Sequence, residues 1–339
     1  MSRRAARASS LVASTRLRVR RPADFLAVIP YLVGFHPAES VVVLFFRQGR
    51  VLLTARVDLP PPGRATGLSA HLHEVCGLHR VEELVLAAYS EDLSGGRRLL
   101  DHVLADAPVP VRDALLVGGG RWWSLTCPSG CCPPEGLPYD PAGHPLAAEA
   151  VYAGLSAERD RSALTERVSG PSTAEEAPLL ARLAPLRQRV ASLGTRGAAR
   201  LMADTVRRLR ADREPVDDED YLLLAVLAED LVVRDVAWAM MRRRDSEDDL
   251  RLWGRVVSRA PRPVASGALG LLGAAAWISG NGALQNCCVE RLQLVDPTYS
   301  LGGVLADISE RALPPSAWDD MADDLRREVC AVAGLRRLY

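Results

Sequence analysis

SVVVLFFRQGRVLLTARVDL, residues 40–59, decides the fold of the N-terminal part of this 339-residue chain. Its first half, residues 40–46, is a run of β-branched and aromatic residues that is typical of a strand. Gln48 and Gly49 mark a hairpin turn, and residues 51–59 form the returning strand. Because this second run alternates poorly at first, we expect it to be buried on both faces.

Strands and helices alternate on both sides of this hairpin. Helical periodicity predicts helices over residues 22–32, 67–78 and 93–105, and β-rich runs predict strands over residues 81–89, 111–117 and 121–125. A helix between two strands implies at least one parallel crossover. We therefore expect an α+β or α/β domain over residues 22–141, built from a mixed sheet with flanking helices.

Residues 142–339 show helical patterns only. Helices are predicted over residues 146–168, 173–192, 195–213, 221–233, 235–244, 248–259, 264–279, 283–294, 301–312 and 315–334. The short connections between them imply antiparallel neighbours, as in a bundle or a stack of helical hairpins. Residues 264–279 are apolar but shorter than the roughly 20 residues that span a membrane, which favours a buried interior helix.

The basic residues are all arginines, 42 in number, which indicates codon usage in a GC-rich genome. Seven of them lie within residues 1–23, where there is no acidic residue, whereas the remainder of the chain is mildly acidic. An acidic body argues against a dedicated nucleic-acid domain. We expect residues 1–21 to be a disordered basic leader. Contact of this leader with nucleic acid or acidic lipid is the alternative.

The cysteines bear on location and on metal binding. No secretory signal is visible near the first residues, so the seven cysteines predict reduced thiols in the cytoplasm. Cys127, Cys131 and Cys132 form a cluster, but zinc needs four ligands, and the fourth has to come from His144, from Cys76 or from a histidine near Cys76. The alternatives are thiols that pack as small apolar groups, or a disulfide formed in air. No cofactor is predicted, with zinc as the alternative.

A polar loop between the first predicted helix and the hairpin could carry a ligand site. The candidate ligand-binding residues there are Asp24, His36, Glu39, Ser40, Arg56 and Asp58. His36 with Glu39 or Asp58 has the composition of an oriented general base. Ser40 lacks the GxSxG elbow of a hydrolase. The structural alternative is that Asp58 pins the end of the hairpin and His36 closes the loop.

Four blocks of sequence resemble one family in the same order. They are PADFLAVIPYLVGFHPAESVVVL (22–44), RVDLP (56–60), WWSLTCPSGCCPPEG (122–136) and GNGALQNCCVERLQLVDPTYSL (280–301). Each is similar to a block of the domain of unknown function 4192 family, found mainly in actinobacteria. Asn286, Cys287 and Cys288 stand where that family tends to have alanines. The resemblance implies a cytoplasmic protein of a high-GC Gram-positive bacterium and supplies no activity.

Three functions remain open from the sequence. Because no catalytic constellation is complete, we favour a non-enzymatic interaction or regulatory protein with an unknown protein partner. The second hypothesis is an enzyme or small-molecule-binding protein that uses His36, Glu39 and Asp58. The third is nucleic-acid binding through the basic leader. No membrane partner is expected.

Overall fold

The computed structural model describes residues 17–59, 65–127, 132–211 and 218–335. The chain divides into two compact units, Met1–Arg161 and Ser162–Tyr339. This division lies further along the chain than the expected boundary after residue 141. The first unit holds a sheet with helices, and the second contains helices and connecting loops, with no strand among its described residues.

The first unit contains a six-stranded sheet in the order β2-β1-β3-β4-β5-β6. The strands are β1 (Ser40–Arg47), β2 (Arg50–Asp58), β3 (Glu83–Tyr89), β4 (Val111–Gly118), β5 (Arg121–Ser124) and β6 (Leu137–Pro138). β3 and β4 are parallel, and the other neighbours are antiparallel. The mixed sheet and the α+β class are thereby confirmed. The two-residue β6 was not predicted.

The β1–β2 hairpin has the predicted turn but not the predicted burial. Gln48 and Gly49 both adopt positive φ, 52° and 69°, as a type I′ turn requires. β1 is buried along almost its whole length because it lies between β2 and β3. β2 is a partly exposed edge strand, so the expectation that it is buried on both faces was wrong. A bulge near Phe45 inserts an extra residue into β2 and explains the poor alternation.

Four helices accompany the sheet in the described part of the first unit. They are α1 (Pro22–Val33), α2 (Ala65–His79), α3 (Leu93–Ala105) and α4 (Pro145–Tyr152). Phe25 of α1 meets Phe46 of β1 edge-to-face, with ring centroids 6.0 Å apart. Gly96 of α3 lies so close to Leu116 of β4 that an added Cβ would come within 2.8 Å of its side chain. Phe46 pairs with Glu83 of β3, and Leu116 pairs with Ala88 of β3. Because successive side chains of a strand point to opposite faces and these two positions are an odd number of residues apart, α1 and α3 cover opposite faces of the sheet.

The chain just before α1 packs against the sheet unit. Leu17 and Val19 contact a buried cluster of Ala27, Val28 and Leu146, which joins α1 to α4. Residues 17–21 are therefore part of the folded unit, which differs from the expected extent of the leader. Residues 1–16 of the leader lie outside the described residues.

The predicted long helix over residues 146–168 was wrong. The structure has α4 up to Tyr152 and a separate helix, α5 (Arg161–Arg167). Gly154 adopts a φ of 86°, a left-handed conformation that ends α4. After it, Glu158 forms an isolated bridge with Phe35, and its carbonyl accepts the His36 N–H at 3.1 Å. Glu158 therefore connects the segment after α4 to the residues that follow α1.

The second unit packs its helices around one apolar helix. The helices after α5 are α6 (Thr173–Ser192), α7 (Gly194–Ala211), α8 (Asp218–Leu227), α9 (Leu231–Ala239), α10 (Ser246–Ser258), α11 (Ala265–Ser279), α12 (Gly282–Val295), α13 (Ser300–Glu310) and α14 (Ala317–Val332). α11 is buried on all sides and contacts α8, α9, α10, α12 and α13. The predicted interior helix is confirmed. None of the helices in the described ranges combines the length and apolar character needed to cross a bilayer.

The break between α8 and α9 lies earlier than the sequence predicted. Residues 221–233 and 235–244 were expected as two helices, but α8 ends at Leu227 and α9 begins at Leu231. Asp230 is the physical reason, because its carboxylate accepts the N–H groups of Val232 and Val233 at 2.8 and 3.2 Å. These bonds satisfy main-chain donors that the first turn of a helix leaves unpaired.

Candidate functional site

Four of the six candidate residues lie at one end of the β1–β2 hairpin. Ser40 begins β1 and is paired in register with Asp58, which ends β2. Glu39 comes just before β1, and Arg56 lies on β2 two residues before Asp58. Ser40 is also in register with Tyr89, the last residue of β3, so the carboxyl ends of the parallel strands β3 and β4 lie at the same end of the sheet. The hairpin therefore brings these side chains together at one polar end of the strands.

Glu39 holds the turn between β3 and α3. Its carboxylate accepts the Glu91 N–H at 2.8 Å and the Ser90 hydroxyl at 3.4 Å. Its carbonyl accepts the Leu59 N–H at 3.1 Å, and its φ is 42°, which is uncommon for a residue with a side chain. Asp92 accepts the Gly95 N–H at 2.9 Å and caps α3. The chain's own carboxylates thus occupy the start of α3.

Arg56 and Asp58 form an ion pair on β2. The Arg56 Nη1 lies 2.5 Å from an Asp58 carboxylate oxygen, and the guanidinium lies 5.8 Å from the centre of the Phe35 ring. Arg56 Nη2 also donates to the Ala38 carbonyl at 3.5 Å. Asp58 therefore has its partner on its own strand, and Arg56 is the side chain that connects β2 to the loop before β1.

Ser40 is a candidate residue whose buried hydroxyl has no hydrogen-bond partner in the described part of the chain. Its hydroxyl is fully buried and makes no hydrogen bond there. On the same face, the phenol rings of Tyr89 and Tyr139 meet edge-to-face at 6.2 Å. Burial raises the pKa of Tyr139 to about 12 and raises the pKa of Tyr89 as well. Both phenols therefore stay neutral near pH 7.

His36 is half-buried, and its imidazole makes no hydrogen bond to Glu39 or Asp58 in the described structure. The main-chain N–H of His36 donates a hydrogen bond to the Glu158 carbonyl. The structure therefore gives the carboxylates of the predicted general base other partners. A ligand role for these residues stays a prediction.

Asp24 belongs to a different cluster. Its carboxylate accepts the N–H groups of Arg20 and Arg21 at 2.8 and 3.0 Å, and its other oxygen lies 3.3 Å from His144 Nε2. The Nδ1 of His144 accepts the Leu146 N–H at 3.2 Å, which fixes the neutral tautomer with the proton on Nε2. This chain of bonds connects the starts of α1 and α4 and gives the buried Asp24 a structural role.

The predicted zinc cluster is only partly described. Cys131 lies outside the described residues, and Cys132 accepts the Ser124 N–H through its sulfur at 3.4 Å. No group of three or more histidine, cysteine or acidic side chains with metal-site geometry occurs in the described ranges. The segment after Cys132 is held instead by Trp123, whose indole N–H donates to the Pro134 carbonyl at 3.1 Å. Zinc binding by Cys127, Cys131 and Cys132 stays a prediction.

The fold and the site define a class of protein: a sheet unit with a polar strand-end cluster, followed by a helical unit on the same chain. The chain belongs to the family described as a domain of unknown function, DUF4192, and the match covers residues 22–316. This match confirms the resemblance of the sequence blocks and includes residues of both units. No curated protein and no solved structure matches the chain.

Proposed function

We propose that this protein is a non-enzymatic interaction protein that binds an extended segment of a partner protein along the free edge of β2. The observation that carries the proposal is the position of β2, a nine-residue strand at the end of the sheet order. Main-chain groups at such an edge are a template for strand addition by another chain.

The register of the hairpin identifies which main-chain groups are free. The Leu59 N–H donates to the Glu39 carbonyl, so this pair is hydrogen-bonded. Bonded and non-bonded pairs alternate in an antiparallel ladder. Thr54, Arg56 and Asp58 therefore lie in non-bonded pairs with β1, and their N–H and C=O groups point away from it. Spaced two residues apart, these groups match the repeat of an added strand.

The two edge strands of the sheet, β6 and β2, differ in how well they are protected against pairing with another chain. β6, at the other edge, has two residues, and one of them is Pro138, which has no N–H to donate. Short edge strands and prolines are common protection against unwanted pairing. β2 has neither feature, and its bulge lies near the turn, between Val51 and Leu53, so residues 53–58 pair regularly with β1. Within the described residues, the sheet is therefore protected at β6, whereas residues 53–58 of β2 present a regular edge.

The side chains of β2 indicate the chemistry of the partner. Val57 is 37% exposed, and Leu53 and Ala55 lie on the same face and are half-buried. On the other face Arg56 and Asp58 neutralise each other. We therefore expect an extended partner segment with apolar residues at alternate positions and no required charge.

The proposal includes a cytoplasmic location in a high-GC actinobacterium. Cys76, Cys132, Cys288 and Cys330 form no disulfide, and burial raises the pKa of Cys76 to about 11. Free thiols are typical of a reducing compartment. The absence of lysine supports the assignment to a high-GC genome.

Site-specific photocrosslinking in cells tests this proposal. A benzophenone amino acid at position 57 should crosslink to a partner protein, whereas the same group at the exposed Arg97 of α3 should not. Thr54→Pro removes one outward N–H that β1 does not use, so it should abolish the crosslink. Thr54→Val keeps that N–H and should retain it. A crosslink at position 57 that survives Thr54→Pro would refute strand addition.

A further inference from the structure

The second unit contains a cavity of about 210 Å³ that the sequence did not indicate. The loop after α5, residues 168–171, forms one side of it, and the end of α10 and the start of α11 form another. Val257 and Leu269 supply apolar surface. The space is partly open to solvent, and its accessible lining is more polar than apolar. It therefore suits a small organic molecule that carries a polar group and has only a small apolar part.

Two arginines line this cavity without a carboxylate partner in the described part of the chain. Arg291 donates to the Ser169 carbonyl at 3.1 Å, and Arg262 donates to the Leu294 carbonyl at 3.4 Å. Nearby Arg259, in contrast, pairs with two carboxylates. Because a guanidinium has five N–H donors, both cavity arginines retain donors for a ligand.

One acidic side chain also lines the cavity. Glu176 of α6 is half-buried and forms no ion pair with Arg262 or Arg291 among the described residues. The charged lining therefore carries a net charge of about +1. A singly charged anion balances this lining, whereas a phosphate dianion leaves an excess of negative charge beside Glu176.

We propose that this cavity binds a small organic carboxylate. The carboxylate pairs with the guanidinium groups of Arg262 and Arg291, which match it in planar geometry. The apolar part of the ligand lies against Val257 and Leu269. This site is independent of the β2 edge, because all of its lining residues belong to the second unit.

Fluorine NMR of the full chain tests this proposal with 4-fluorobenzoate as the probe and 4-fluorobenzamide as its neutral counterpart. The fluorine signal of the acid should broaden and shift as protein is added, with an affinity at least about tenfold above that of the amide, because the amide lacks the negative charge that pairs with the two guanidinium groups. Equal binding of the acid and the amide, or no binding of the acid at millimolar concentration, would overturn it.

Charge variants locate the binding. Arg291→Gln and Arg262→Gln should each weaken 4-fluorobenzoate about tenfold or more. Glu176→Gln removes a repulsive charge and should tighten binding by about threefold. Arg200→Gln, at an exposed position on α7, is the matched control and should leave the affinity unchanged. Affinity that is unchanged in both cavity arginine variants, with circular dichroism showing native helix content, would refute the site.

Discussion

Arg210 and Asp249 form a buried ion pair in the second unit. Arg210 Nε donates to Asp249 Oδ1 at 2.7 Å, and its Nη1 donates to the Met240 carbonyl at 3.2 Å. Asp249 is fully buried, and this burial raises the pKa of its carboxyl to about 7 although Arg210 opposes the shift. Asp245 and Asp248 raise the pKa further through their negative charges. The pair therefore links the stability of this unit to pH.

We predict that the second unit becomes less stable as the pH rises, because its folded state binds the Asp249 proton more tightly than the unfolded chain does. The unfolded chain loses the Asp249 proton near pH 3.8, whereas the folded unit keeps it up to about pH 7. In that window the folded state binds more protons, so the free energy of unfolding falls with rising pH by at most about 1.4 kcal/mol per pH unit. Asp249→Asn should remove this part of the slope in urea unfolding followed by circular dichroism. Asp204→Asn, at an exposed ion pair, should leave the slope unchanged.

A slope identical in the wild type and in Asp249→Asn would contradict the role of this carboxyl. Arg210→Met provides a second variant. It removes the counter-charge, so the buried carboxyl should keep its proton above pH 7, where the wild-type folded unit loses the proton and gains the ion pair. The loss of unfolding free energy in Arg210→Met should therefore be larger above about pH 7 than below it, because only there does the wild type gain stability from the charged pair.

The candidate residues show what a sequence can indicate at this scale. Ser40 and Asp58 could be placed together because a tight turn fixes the hairpin register within 20 residues of chain. The contact of Asp24 with His144 could not, because no local pattern relates positions on helices so far apart in sequence. The partners of Glu39 follow from the pairing of β1 with β3, which is also a long-range feature.

At the scale of elements, Asp230 determines where α9 begins. We predict that Asp230→Ala lowers the free energy of unfolding by about 1 kcal/mol, because two N–H groups of the first turn lose their acceptor. Asp230→Ser retains a capping oxygen and should lose only a few tenths of a kcal/mol. Urea unfolding followed at 222 nm measures both. Equal losses in the two variants would show that the capping bond does not stabilise α9.

Two helical glycines provide a matched pair of opposite sign. An added Cβ at Gly267 of α11 would lie 2.4 Å from the Ala228 carbonyl oxygen. An added Cβ at Gly254 of α10, in contrast, would have no described atom of another element within 4 Å. We predict that Gly267→Ala destabilises the second unit by about 1–3 kcal/mol through overpacking. Gly254→Ala should stabilise it by about 0.4–1 kcal/mol. Stabilisation by both variants in thermal unfolding would contradict this close packing of α11.

Element boundaries were predictable where a local stop signal was present and was used. The turn at Gln48 and Gly49 is such a signal, and it was confirmed. Gly154 is another, but the predicted helix over residues 146–168 ran through it. The edge position of β2 depends on strand order, and its bulge disguised the alternation. The cavity at Arg262 and Arg291 arises from segments of several helices, which no local pattern joins.

At the scale of the whole molecule, α4 decides where the first unit ends. Leu146, Ala147 and Ala150 of α4 are buried, and Leu146 belongs to the cluster formed with α1. His144, which caps α4, contacts the buried Asp24 at the start of α1. Glu158 pairs with Phe35 beyond α4. The sequence placed this segment with the helical domain because it is helical, whereas its contacts place it with the sheet unit.

We predict that a fragment of residues 17–161 is more stable than one of residues 17–141. The shorter fragment lacks α4, so it exposes apolar surface of α1 and leaves Asp24 without His144. The lost burial of Leu146 and its neighbours should cost about 3 kcal/mol or more. Urea unfolding and dye binding to exposed apolar surface compare the two fragments. Leu146→Ala in the longer fragment should produce about 2–4 kcal/mol of the loss, and equal stability of the two fragments would show that α4 does not belong to the first unit.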